Sequence, residues 1–167
     1  MELKEGPEDL ANNLLNLVLD SGINFIDTSI CYGDSEKLIG KYISHRRLEF
    51  FLASKCGCPV DGEGGHVFTK EIITDGINQS LKLMKTDYLD LVQLHNPIKN
   101  VVEENDVIQT LLEIKKEGKV KFIGTSSVLP ALSDHINMKV FDAFQIPYSA
   151  LNREHETSIT NASKSGA

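Results

Sequence analysis

The sequence predicts an α/β domain in which about five short parallel strands are joined by crossover helices. Three observations carry that expectation. Apolar residues recur at helical spacing in some segments and as short continuous runs in others, and the two patterns alternate along the chain. The 167 residues are 41% hydrophobic and 25% charged, with no low-complexity tract or linker, so one globular domain spanning 1–167 is expected. Asp27, Lys55 and His95 each fall just past an apolar run, at the strand ends where parallel α/β sheets collect functional groups.

In chain order, Pro7 to Ser21 reads as a helix. Pro7 suits a first-turn position, Glu8 and Asp9 suit the dipole, and Leu10, Leu14, Leu17 and Val18 form an apolar face. Gly22 follows as a C′ residue. Ile23 to Ile26 is a strand ending at Asp27, and Ser35 to Ser44 is a helix with Leu38, Ile39, Tyr42 and Ile43 apolar. Phe50 to Ala53 is a strand ending at Lys55. The longest loop, Cys56 to Phe68, carries Gly57, Gly62, Gly64 and Gly65. Thr69 can N-cap a helix bearing Ile72, Ile73, Ile77, Leu81 and Met84. Tyr88 to Leu94 is a strand ending at His95. A helix near Glu104 to Glu117 has Lys115 and Lys116 in its last turn and stops at Gly118. Val120 to Ile123 is a strand, Pro130 to Asn137 a short helix, Phe141 to Ile146 a strand and Glu154 to Lys164 a last helix. Periodicity leaves two architectures open: a small doubly wound open sheet, or part of a (β/α)8 barrel, which when complete takes about 250 residues.

Composition removes several function classes. Seventeen basic against 24 acidic residues give a net charge of -7, the wrong sign for tracking phosphates or an anionic membrane surface. No apolar run approaches the roughly 20 residues of a membrane span. The opening Met-Glu-Leu-Lys-Glu-Gly-Pro lacks a basic and then apolar leader, and three cysteines suit a reducing compartment, so a cytoplasmic protein is expected.

Tyr32 follows Asp27 by five residues, so a carboxylate, a tyrosine, a lysine and a histidine can share one cleft. Each has an ordinary structural role when taken alone: a loop-tying Asp27, a packed Tyr32, a solvated Lys55, a hydrogen-bonded His95. Together they form a proton donor. An ammonium beside a phenol favours the phenolate, a carboxylate holds the ammonium charged, and an imidazole can donate to a substrate oxygen. That chemistry suits protonation of a developing alkoxide during carbonyl reduction, with the hydride supplied by a cofactor.

The stretch Gly22-Ile-Asn-Phe-Ile-Asp-Thr-Ser-Ile-Cys-Tyr-Gly-Asp-Ser-Glu-Lys-Leu-Ile-Gly40 resembles the aldo-keto reductase signature, with Ser29 where Ala is usual. Phe51 to Lys55, Tyr88 to Pro97 and Gly118 to Ser126 resemble three further segments of that family in the same order. The resemblance implies an incomplete TIM (β/α)8 barrel that reduces an aldehyde or ketone, or runs the reverse reaction, with NADPH, NADH being the alternative donor. By the same resemblance Tyr32 is the proton donor, Lys55 and Asp27 tune it, His95 orients the carbonyl, and Ser126 and Gln145 contact the nicotinamide carboxamide. Ser127 stands where the family often has Asn. A small carbonyl or sugar-like substrate is implied.

The family's first strand would precede the first helix, and its seventh and eighth strands, with most adenosine and phosphate contacts, would follow Gln145. Five strands leave two open edges, near Ile23–Ile26 and Phe141–Ile146, which predicts self-association or completion by another chain. Two other classes are weighed. One is an inactive fragment or regulatory binding module of the same fold. The other is a metal site from Cys31, Cys56, Cys58 and His66, against which the Cys-x-Cys spacing argues.

Overall fold

A computed structural model describes residues 8–59 and 65–167, so Pro7, Gly62 and Gly64 lie outside the described residues. The elements are α1 (Glu8–Asp20), β1 (Phe25–Asp27), α2 (Ser35–Tyr42), a 3-10 segment (Ser44–Glu49), β2 (Phe51–Cys56), α3 (Lys70–Met84), β3 (Leu89–His95), α4 (Lys99–Glu104), α5 (Val107–Lys116), β4 (Val120–Ser126), α6 (Ala131–Met138), β5 (Ala143–Gln145) and α7 (Glu156–Ser165). Thr69 caps α3 as its position suggests, its hydroxyl accepting from the Ile72 amide at 3.4 Å. The helix expected from Glu104 to Glu117 is α5, which starts at Val107, and a short helix that was not expected, α4, precedes it. Asp106, at φ 50°, separates α4 from α5.

The five strands form one sheet in the order β1-β2-β3-β4-β5, every pair parallel. A doubly wound sheet reverses its order at a switch point. Here the order never reverses, which removes that alternative. The sheet also curls. Gln145 on β5 donates to Asp27 on β1 at 3.1 Å, although strands four places apart would be about 19 Å apart in a flat sheet. The result is a half-barrel with helices between its strands.

Alternation along each strand sorts the side chains. Leu52, Cys56, Val92, Leu94 and Ile123 belong to the main core with Ile39, Ile73, Ile77, Leu111 and Ile114 from the helices. The intervening residues face the concave side. There Phe25 and Phe51, neighbours in register, are 53% and 54% exposed, and Phe122, opposite Leu91, is 50% exposed. An apolar layer that a closed barrel would bury is thus open on this chain.

The first helix corrects the sequence reading. Ala11, Leu15 and Leu19 form its buried row, while Leu10 and Leu17 are 59% and 62% exposed. The helix is apolar on two adjacent stripes, and contact with α2 selects the row that spacing alone did not.

Gly40, the last glycine of the signature, lets α2 approach α3. A Cβ there would overlap the Leu83 carbonyl oxygen and lie 2.8 Å from Met84 Cα. Both obstacles are backbone and cannot rotate away. Gly40→Ala is expected to cost about 1–3 kcal/mol in urea unfolding, in the range of overpacked sites. An unchanged midpoint would show that the two helices can separate freely.

Candidate active site

The strand ends build the site from one side of the sheet. Lys55 points inward near the end of β2, with its side chain only 2% exposed. A buried ammonium needs a partner. Asp27, ending β1, supplies it at 2.5 Å, and the Thr28 carbonyl accepts a second bond at 3.0 Å. Asp27 also accepts from Gln93 Nε2 at 2.9 Å and from Gln145 Nε2 at 3.1 Å. A carboxylate is an acceptor only, so both amides must present nitrogen to it and their oxygens elsewhere.

Tyr32 sits in the loop after β1, its amide closing a turn on the Ser29 carbonyl at 2.9 Å. The Lys55 ammonium lies 4.9 Å from the Tyr32 ring centroid. His95, ending β3, meets that ring edge-on with centroids 6.0 Å apart. Burial, reinforced by His66 and Lys55 and opposed by Asp27, pushes His95 down to about 4. Its imidazole is therefore neutral at neutral pH and carries one N–H donor. Ser126 ends β4, opposite both His95 and Gln145 in register. All six candidates from the sequence thus lie at or just beyond the same strand ends. Ser127 does not join them: its hydroxyl is buried between Thr125 and His135, 2.8 Å from each.

Gln93 was missed by sequence reasoning. It is a polar residue inside the apolar run Leu-Val-Gln-Leu, two positions before His95 and on the same face, and that interruption was its signal. Glu36 was missed as well. It is buried, and Ser54 Oγ donates to it at 2.5 Å. Burial raises its pKa, with the Ser54 and Ser80 hydroxyls opposing. A raised carboxyl holds its proton in the folded state after the unfolded chain has lost it. Its contribution to stability is therefore full below 4.5 and declines as pH rises through the folded value. Glu36→Gln is expected to raise the urea midpoint relative to the parent by more at pH 7.5 than at pH 5. An equal change at both pH values would contradict a raised Glu36 pKa.

The cysteines depart from the expectation of reduced thiols. Cys31 and Cys58 are joined as a disulfide, with Cα atoms 6.1 Å apart. Cys56 turns to the opposite strand face from Lys55, into the helix-side core, where burial pushes its thiol up to about 12. It is not part of the suggested metal set. His95 stands in its place: the ligand atoms of Cys31, Cys58, His66 and His95 all lie within 4.8 Å of one another.

A parallel half-barrel with a buried lysine–aspartate pair and a tyrosine at its strand ends is the architecture of part of an α/β barrel. The particular family follows from comparison. The aldo/keto reductase family model matches residues 2–165, and the chain belongs to that family. An uncharacterized oxidoreductase of Bacillus subtilis, YqkF, is 31% identical over 154 residues, covering 87% of this chain and 49% of its own. An L-galactose dehydrogenase of Arabidopsis thaliana is 34% identical over 116 residues, covering 64% of this chain and 35% of its own. The holo form of aldo-keto reductase AKR11C1 from Bacillus halodurans superposes with a TM-score of 0.89 at 28% identity, covering 98% of this chain and 56% of that one. The chain spans about half the length or less of these relatives. Among the described residues no helix is long and apolar enough to cross a membrane.

Proposed function

We propose that this chain carries the proton-donating part of an NADPH-dependent carbonyl reductase, with NADH as the alternative donor. The observation that carries the reading is the buried Asp27–Lys55 pair beneath Tyr32 and beside His95. When bound, the nicotinamide supplies the hydride that the carbonyl carbon accepts. Tyr32 gives its hydroxyl proton to the carbonyl oxygen as that oxygen becomes an alkoxide. Lys55 stabilises the tyrosinate left behind, and Asp27 keeps Lys55 charged and in place. His95, neutral, donates its N–H to the same carbonyl oxygen and fixes the substrate's orientation.

The residues present fit a carboxamide. Gln145 commits its amide nitrogen to Asp27, which leaves Oε1 to accept from the carboxamide NH2. The Ser126 hydroxyl, next in register, can donate to the carboxamide oxygen. The substrate class is a small aldehyde, ketone or sugar-like carbonyl, and the sugar-dehydrogenase name of one relative supports the last. The test is NADPH oxidation by the purified chain with a panel of aldehydes and aldoses. Oxidation that requires the carbonyl compound supports the reading. NADPH binding without any turnover would leave a binding module of the same fold.

The same proposal has the open sheet completed by a second chain. Its support is that β1 and β5 each pair on one side only among the described residues, with Phe25, Phe51 and Phe122 half exposed between them. At micromolar concentration light scattering is expected to give a mass above the 18.5 kDa of one chain. A monodisperse monomer that unfolds cooperatively would contradict it.

A further inference from the structure

The Cys31–Cys58 disulfide accounts for two of four donors that converge on one point. Cys31 comes from the loop after β1, Cys58 and His66 from the segment after β2, and His95 from the end of β3. His95 Nδ1 lies 3.8 Å from Cys31 Sγ and 3.5 Å from Cys58 Sγ. The His66 ring stacks on His95 with centroids 4.2 Å apart. In a tetrahedral zinc site, with Zn–S near 2.3 Å and Zn–N near 2.0–2.1 Å, sulfur and nitrogen ligands stand about 3.6 Å apart. The two observed spacings bracket that separation. Neither the disulfide nor the carbonyl-orienting role of His95 gives a reason for His66 to gather at the same point.

We propose that, once Cys31 and Cys58 are reduced, Cys31, Cys58, His66 and His95 bind one soft divalent metal ion of the zinc class as a tetrahedral set of two sulfurs and two nitrogens. The chemistry balances. The disulfide takes two electrons and two protons from a dithiol, which itself becomes a disulfide, and the metal then displaces both thiol protons. His95 coordinates through Nδ1, the nitrogen facing the sulfurs, and so keeps its proton on Nε2. Metal loading thereby fixes the tautomer of a ring at the strand-end mouth. The binding claim does not depend on the proposed reductase activity.

The chain, reduced anaerobically and freed of reductant, is titrated with cobalt(II) as the spectroscopic probe for zinc. One cobalt per chain is expected, with intense tetrahedral d–d bands and a thiolate-to-cobalt charge-transfer band, all abolished by zinc. Cys31→Ser and His66→Ala alter exposed residues and are each expected to weaken binding by about 100-fold. Cys56→Ala, outside the cluster, leaves it unchanged. Weak octahedral bands, full affinity in His66→Ala, or a disulfide that persists under reductant with no cobalt bound would each overturn the assignment.

Discussion

Tyr32→Phe is expected to lower carbonyl-dependent NADPH oxidation by roughly 10²–10⁴-fold, the usual worth of a positioned general acid. The change removes one oxygen and keeps the ring that meets the Lys55 ammonium and the His95 edge. Packing therefore survives, and the unfolding midpoint should stay close to that of the parent. NADPH affinity should also hold, because the proposed carboxamide contacts are Ser126 and Gln145. Loss of turnover with binding and stability intact would identify a missing proton. Activity within about threefold of the parent would remove Tyr32 from the chemistry, since a general acid contributes at least about 10²-fold.

Asp27→Ala is expected to have the largest effect on stability. It leaves Lys55, whose side chain is 2% exposed, without its counter-ion, and it takes the shared acceptor from Gln93 and Gln145. Breaking a buried pair by removing one partner costs about 3–5 kcal/mol. Asp27 is itself 25% exposed, so water can reach the vacated position and the lower end of that range applies. The paired variant Asp27→Ala with Lys55→Met removes the stranded charge and should regain a large part of the loss. A urea midpoint for Asp27→Ala equal to that of the parent would show that Lys55 finds another partner, and the buried pair would cease to be the organising contact of the site.

Much of the site was legible because strand ends are legible. Asp27, Lys55 and His95 each terminate an apolar run, and a parallel sheet in sequential order must bring those ends together. What the sequence did not reveal depends on contacts between distant segments. Gln93 meets Asp27 across 66 positions, and Gln145 meets it across 118, only because the sheet curls. Cys58 parts from Cys56, although positions i and i+2 of a continuous strand share a face, because β2 ends at Cys56 and Gly57, at φ 101°, turns the chain between them. The buried row of α1 was misassigned because two apolar stripes compete on one helix, and the neighbouring helix decides. Helix α4 was not foreseen because its six residues are too few to show an apolar period, and Asp106, at φ 50°, separates it from α5.

The most direct measurement is a fluorescence titration of the purified chain with NADPH, run beside Tyr32→Phe. The account predicts saturable binding at one site per chain in both proteins, with carbonyl-dependent oxidation confined to the parent. A chain that unfolds cooperatively yet binds no NADPH would contradict it, and the strand-end residues would then be a reductase site without its hydride donor.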